Sequence, residues 1–160
     1  MHRINAATLA LVKHFEGLYL EAYQCPAGVW TIGYGHTGIR HNDGTVRKGR
    51  KITEQEAEQL LARDLETFAA GVQRLLLPKA AAALNENQFG ALVSFAFNLG
   101  LGNLSKSTLL QRINALRFKD CPAEFLKWNR ANGKVLRGLT RRRQSEANLF
   151  ESKQPWLVKP

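Results

Sequence analysis

The chain of 160 residues is 44% hydrophobic and 22% charged, which provides enough apolar material for one domain with a buried core. This composition excludes an intrinsically disordered chain, and no run of about 18 apolar residues is present that would span a bilayer. The formal net charge of +10 predicts attraction to a polyanion, which is nucleic acid, an anionic membrane surface or an acidic wall polymer.

The N-terminal residues and the two cysteines indicate where the protein works. The first residues turn polar again at Lys13 and His14, unlike the layout of a signal peptide, so we expect the protein to stay at first in the cytoplasm. Cys25 and Cys121 form no Cys-x-x-Cys pair, which argues against a structural zinc site. A disulfide between them stays open, although a reducing cytoplasm favours two free thiols.

The first predicted element is a helix, because apolar residues recur on one face from Ile4 to Phe15. Asn5 is suited to its N-cap and Gly17 to its C-terminal stop. Glu16 therefore falls at the last turn of this helix.

A β-containing segment follows, rich in Gly, Thr, Tyr and Trp. Turn residues occur at Pro26–Gly28 and at Asn42–Gly44. The pattern predicts two short antiparallel strands, one over Val29–Tyr34 and one around Gly44.

The rest of the chain is predicted to be helical. Thr53 and Glu56 match a capping box, and the apolar spacing behind them predicts a helix of roughly five turns. A very apolar helix over Phe89–Leu99, opened by Asn85 to Gln88 and ended by Gly100, is expected to form the buried centre of a bundle. Further helices are predicted over Ser107–Leu116, Pro122–Trp128 and Leu139–Phe150, with a loop at Asn132-Gly133.

These elements predict an α+β, mainly helical chain that forms a single domain over residues 1–160. Its approximate lobes are a small β lobe over 17–52, a connecting helix over 53–72, and a helical lobe made of 1–16 plus 73–160. A junction between lobes is a common place for a cleft, and Glu16 is expected at that junction.

One ordered set of residues carries chemistry. Glu16-Gly17 is followed nine residues later by Cys25, then six residues later by Thr31, and then by Gly33-Tyr34-Gly35-His36. This pattern resembles the phage-type lysozymes, the endolysins of glycoside hydrolase family 24. Later segments agree with the family in the same order, so the resemblance covers nearly the whole chain: Thr53–Ala57, Phe95–Gly100, Gly138–Arg143 and Leu149-Phe150.

The resemblance implies a two-lobed, lysozyme-like fold and hydrolysis of the β-1,4 bond between N-acetylmuramic acid and N-acetylglucosamine in peptidoglycan. It makes Glu16 the general acid. The expected position of Glu16 agrees with that role, because the negative end of a helix dipole and the apolar neighbour Phe15 both favour a protonated carboxyl.

At the second catalytic position the chain has Cys25, where the family most often has Asp. A thiolate can replace a carboxylate as an anion or base, but an ordinary thiol, with a pKa of about 8.5, is mostly protonated at pH 7. The excess of Lys and Arg could lower that pKa. An inert cysteine beside a turn is the alternative, and Glu21 is a nearby carboxylate at the wrong spacing.

The third position is Thr31, whose hydroxyl could hold a water on the face opposite Glu16. An inverting glycosidase requires a water there, and the resemblance favours inversion. The plain alternative is that Thr31 is only a β-branched strand residue.

The resemblance also assigns roles to residues outside this trio. It implies that His36 pairs with Asp64 and braces the fold. It implies that Asn98, Tyr34 and Arg142 contact the substrate, although adjacent arginines leave the register at Arg142 open. It implies no metal and no other cofactor.

The predicted function is therefore that of a monomeric endolysin muramidase that digests peptidoglycan for host lysis. It would stay in the host cytoplasm until a separate membrane-opening protein releases it to the wall. No nucleic acid partner is expected, since the C-terminal arginines lack a recognisable binding motif. The basic charge also predicts electrostatic contact with the anionic cell envelope.

Two alternatives remain open. A lytic transglycosylase would need Glu16 alone and would form an anhydro product, which makes Cys25 and Thr31 the features against it. A non-catalytic basic protein active on the wall or membrane would not respond to Glu16→Gln.

Overall fold

The computed structural model describes residues 2–38 and 44–160, so the predicted turn at Asn42-Asp43 lies outside the described residues. No helix within these two ranges has the length and apolarity that crossing a membrane requires. The larger helices are α1 (Ala6–Glu16), α2 (Glu54–Leu75), α4 (Glu86–Leu99) and α8 (Arg137–Phe150), and the shorter ones are α3 (Pro78–Ala83), α5 (Leu101–Lys106), α6 (Thr108–Asn114) and α7 (Cys121–Leu126). The strands are β1 (Tyr19–Gln24), β2 (Trp30–Gly33), β3 (Arg130–Ala131) and β4 (Lys134–Val135).

The chain forms two compact units. The β unit comprises Val12–Thr67, and the helical unit comprises Met1–Leu11 with Phe68–Pro160. Helices α1 and α2 have residues in both units. The β unit therefore includes the whole of residues 17–52, which the sequence assigned to the β lobe, together with neighbouring turns of both helices.

Helix α1 begins and ends where its sequence indicates. The side-chain oxygen of Asn5 accepts hydrogen bonds from the Thr8 amide at 3.0 Å and the Thr8 hydroxyl at 2.8 Å, which confirms the N-cap. At the other end, Gly17 has φ +71° and its N–H donates to the carbonyl of Lys13 at 3.1 Å. A residue with a side chain is strained in that conformation, so glycine ends the helix directly after Glu16.

The sheet of the β unit corrects one prediction. Strand β2 pairs with β1, which precedes it, with Tyr19 opposite Gly33 and Tyr23 opposite Thr31. The predicted second strand around Gly44 is wrong for the described residues, because 44–50 contain no strand. Strand β1 has no clear signal in the sequence, since only Ala22 of its six residues is buried and no alternating apolar pattern results.

The long helix α2 opens with the predicted capping box. The Glu56 N–H donates to the hydroxyl of Thr53 at 3.1 Å, and the Thr53 N–H donates to the Glu56 carboxylate at 2.7 Å. The helix then runs for 22 residues, about six turns, which is longer than the predicted five.

The core of the helical unit confirms the prediction for α4, whose residues from Phe89 to Phe97 are all buried. Its N-terminus also carries a capping box, between Asn85 and Gln88. Helix α8 packs against α4, and the hydroxyl of Ser94 donates to the buried Glu146 carboxylate at 2.7 Å.

The short elements of the helical unit that were not predicted include α3, α5 and the β3–β4 hairpin. The six-residue helices α3 and α5 are too short for a clear helical periodicity. Asn132-Gly133, which we expected to be a loop, is the two-residue turn of a β3–β4 hairpin, with Arg130 opposite Val135. Their φ values of +49° and +76° fit the turn type that Asn-Gly favours.

Candidate active site in the β unit

Glu16 is the last residue of α1 and is partly exposed. Its carboxylate lies against the backbone of Gly35, where an added Cβ would be 3.3 Å from Glu16 Oε2. Gly35 also has φ +83°, a backbone conformation in which a residue with a side chain is strained, so this position favours glycine. The group that approaches the backbone of Gly35 is therefore the Glu16 carboxylate.

Cys25 begins a tight turn directly after β1. Its N–H donates to the carbonyl of Val29 at 2.9 Å, and the Gly28 N–H donates to the Cys25 carbonyl at 2.8 Å. Hydrogen bonds from the backbone N–H groups of Val29 and Ala27 lower the pKa of the Cys25 thiol, and a hydrogen bond with the Thr31 hydroxyl adds to this effect. The sequence had suggested basic side chains as the cause. The larger cause is the turn, because it aims backbone N–H groups at the sulfur.

Thr31 lies on β2 and is only 4% exposed. Its hydroxyl donates to the Val29 carbonyl at 3.0 Å and is also one of the groups that stabilise the Cys25 thiolate. One hydroxyl proton serves one acceptor at a time, which leaves the oxygen lone pairs able to accept from a water. The structure thus brings Thr31 together with Cys25.

Tyr23 is a site residue that the sequence reasoning missed. It lies directly opposite Thr31 in the sheet, and its ring centroid is 4.4 Å from that of Tyr19. Burial raises the pKa of Tyr23, and the nearby charges of Tyr19, Cys25 and Glu16 raise it further. The sequence carried no signal for it, because β1 lacks an alternating apolar pattern and its pairing with β2 is set only by the fold.

Lys13 was also missed by the sequence reasoning. Its ammonium is hydrogen-bonded to the carboxylate of Glu58 on α2, and it lies 5.6 Å from the centre of the Tyr34 ring. The hydrogen bond with Glu58 raises the pKa of Lys13, so it stays charged. These contacts fix the last turn of α1, which carries Glu16.

His36 and Asp64 are paired inside the β unit. The His36 Nδ1 atom is 2.9 Å and 3.1 Å from the two carboxylate oxygens of Asp64, and the side chains are 2% and 1% exposed. A buried polar pair of this kind holds α2 to the end of the β2 hairpin, since removing either partner would leave the other unsatisfied.

The three predicted substrate contacts lie in different surroundings. Tyr34 is buried beneath Lys13 in the β unit. In the helical unit, Arg142 is buried with its guanidinium 3.4 Å from Glu146 and 3.3 Å from the carbonyl of Ser94. Asn98, near the end of α4, has a buried side-chain oxygen without a hydrogen-bond partner among residues 2–38 and 44–160. Their contact with substrate stays a prediction.

The two cysteines are free thiols in contrasting environments. Cys25 is partly exposed, whereas Cys121 is fully buried in the helical unit. Burial raises the pKa of the Cys121 thiol to about 12, so it is unreactive at neutral pH.

Comparison with known proteins identifies the family of the chain. The phage lysozyme family matches residues 13–146. The endolysin of a phage of an Acyrthosiphon pisum secondary endosymbiont is 44% identical over 95% of this chain and 99% of the relative. The endolysin of Bacillus phage B103 is 45% identical over 92% of this chain, and the chain spans 53%, about half, of that relative. The muramidase domain of SpmX from Asticaccaulis excentricus superposes with a TM-score of 0.82 at 39% identity, over 94% of this chain and 98% of that domain.

The chain belongs to the phage lysozyme family. It is therefore an enzyme of the lysozyme class, a glycoside hydrolase. The predicted family, the mainly helical α+β fold and the enzyme class are confirmed, and the relatives favour neither the transglycosylase nor the non-catalytic alternative.

Proposed function

We propose that the protein is an endolysin muramidase that hydrolyses the β-1,4 bond between N-acetylmuramic acid and N-acetylglucosamine of peptidoglycan. The observation that carries the proposal is the turn at Cys25, which stabilises a thiolate beside the Thr31 hydroxyl. A glycosidase needs a second anionic or basic group besides its acid, and Cys25 is suited to supply it to Glu16.

In the proposed reaction, Glu16 gives its proton to the glycosidic oxygen as the bond from that oxygen to C1 breaks. A water held by Thr31 attacks C1 from the opposite face, and the Cys25 thiolate takes one proton of that water. The products are the leaving sugar with a free hydroxyl and a reducing sugar of inverted configuration. Exchange with solvent returns the proton to Glu16 and removes it from Cys25.

The remaining residues are proposed to bind and position. Asn98, near the end of α4, is proposed to contact the sugar. Arg142 and Tyr34 complete the proposed substrate contacts. Lys13, through its hydrogen bond to Glu58, stabilises the last turn of α1, which contains Glu16.

The biological setting is part of the same proposal. A monomeric enzyme accumulates in the host cytoplasm and reaches the wall when a separate membrane-opening protein breaches the membrane. Its basic charge favours the anionic envelope over a neutral surface.

Mass analysis of a digest of purified peptidoglycan tests the reaction. We expect fragments that end in a reducing N-acetylmuramic acid, because hydrolysis adds one water to each cleaved bond. Fragments lighter by one water, with an anhydro end, would replace this proposal by a lytic transglycosylase. An unchanged polymer would support a non-catalytic protein.

A further inference from the structure

We propose that the β3–β4 hairpin and the start of α8 form a docking surface for a membrane that contains anionic phospholipids. This hairpin surface consists of Arg130, Lys134, Val135, Leu136 and Arg137. It contains none of the proposed catalytic residues, so this proposal can be tested independently of the proposed function.

The hairpin surface is exposed throughout. Every residue from 130 to 138 is exposed, with Val135 at 52% and Leu136 at 44%. Cross-strand partners share a face of a sheet, so Val135 lies on the same face as Arg130, and Lys134 lies on the other face with Ala131. Each face of the hairpin therefore carries a cation.

The two aliphatic residues do not serve the fold. The hydrogen bonds that hold the hairpin are local, from Arg130 Nη1 to the carbonyl of Gly133 at 3.1 Å and from the Leu136 N–H to the carbonyl of Asn129 at 3.0 Å. Since Val135 and Leu136 stay in water, they give the hairpin little of the stability that buried apolar area would give. Their side chains are therefore available to contact an apolar phase such as the interior of a bilayer.

The charge around them is of one sign. From Phe125 to Ser145 the sequence contains seven Lys and Arg residues and no Asp or Glu. Arg142 and Arg143 are buried with Glu146, and Lys127 is paired with Glu124. Arg130, Lys134 and Arg137 have no carboxylate partner within residues 2–38 and 44–160 and are exposed.

This combination selects an anionic bilayer as the partner. Cations next to exposed aliphatic side chains suit a lipid surface, where charges meet headgroups and apolar atoms enter the interface. Single-stranded nucleic acid is held by aromatic side chains as well as cations, and residues 129–138 contain no aromatic residue. An acidic wall polymer would use the cations and leave Val135 and Leu136 in water.

Co-sedimentation of the full chain with vesicles tests the proposal. We expect binding to vesicles of phosphatidylglycerol and phosphatidylcholine, and little binding to phosphatidylcholine alone. Each cation near an anionic surface strengthens binding about fivefold, so Lys134→Glu with Arg137→Glu should weaken it by at least about 25-fold. Val135→Ser with Leu136→Ser should weaken it by at least about tenfold.

A control elsewhere in the helical unit uses Leu77→Ser with Lys79→Glu, which replaces one exposed aliphatic residue and reverses one exposed cation. This variant should bind the anionic vesicles nearly as the unmodified protein does. All variants should keep the melting temperature and the rate of digestion of suspended peptidoglycan, which separates this test from that of the proposed function.

Three outcomes would overturn the proposal. The first is equal binding to both kinds of vesicle, and the second is hairpin variants that bind anionic vesicles as well as the control does. The third is a loss of binding to intact peptidoglycan sacculi without a loss of binding to vesicles, which would assign the hairpin surface to the wall.

Discussion

Glu16→Gln should yield a folded protein whose kcat on peptidoglycan is lowered by about 10²–10⁴-fold, because removing a general acid typically costs that much. The amide keeps the size of the side chain, so its contact with the Gly35 backbone is retained while the transferable proton is lost. The check is the rate of clearing of a peptidoglycan suspension together with the melting temperature of the variant.

Glu21→Gln is the matched control for this prediction. Glu21 is another carboxylate of the β unit, exposed on β1 and 4.0 Å from the ammonium of Lys51. An exposed ion pair of this kind contributes little to stability, so this variant should keep nearly full activity. A well-folded Glu16→Gln protein with unimpaired turnover would end the assignment of Glu16, and a large loss in Glu21→Gln would move the search to that residue.

The second large effect concerns Cys25. Cys25→Ala should lose most activity, because alanine provides neither an anion nor a base. Cys25→Asp should retain activity, because a carboxylate can accept the same backbone N–H groups of Ala27 and Val29 and take a proton from water. If Cys25→Ala is as active as the unmodified protein, Cys25 only packs beside the turn.

The dependence of activity on pH should differ between the unmodified protein and Cys25→Asp. The hydrogen bonds to Cys25 lower its pKa below that of an ordinary thiol, and the thiolate fraction rises as pH rises through that value. Because the reaction also requires protonated Glu16, activity of the unmodified protein should increase with pH only on the acidic limb of a bell-shaped profile. Cys25→Asp should reach its plateau at a lower pH, since an Asp carboxyl ionises near pH 4. Superimposable profiles would exclude ionisation of Cys25 as the requirement.

Alkylation tests independently whether the Cys25 thiolate is required for activity. A small alkylating reagent at neutral pH should modify Cys25 and abolish activity, because the thiolate is the reactive form. Cys121 is buried with a pKa of about 12 and should stay unmodified, so Cys121→Ser should be inactivated at the same rate. Protection by Cys121→Ser would contradict the assignment.

The sequence predicted those parts of the fold that have a strong local signal. The N-cap at Asn5, the stop at Gly17 and the capping box at Thr53 each follow from the chemistry of a few neighbouring residues. Strand β1 was not predicted, because its pairing with β2 depends on a partner rather than on its own pattern. The Asn132-Gly133 hairpin was called only a loop because its strands have two residues each.

For the site, the spacing of Glu16, Cys25 and Thr31 predicts the candidate residues but not what surrounds them. The turn that directs N–H groups at Cys25 depends on backbone geometry, which a residue pattern does not state. Lys13 was missed because its partner Glu58 is 45 residues away, and only the folded α2 brings the two together.

The configuration of the first product tests the central claim most directly. Glu16 is assigned as the acid, with water held by Thr31 and activated by Cys25 on the opposite face, so cleavage of a β-linked substrate must give the α-anomer first. Proton NMR during the first minutes of digestion, before the anomers equilibrate, reads this directly. We expect the α-anomer from both the unmodified protein and Cys25→Asp; a β-anomer as the initial product would contradict the account.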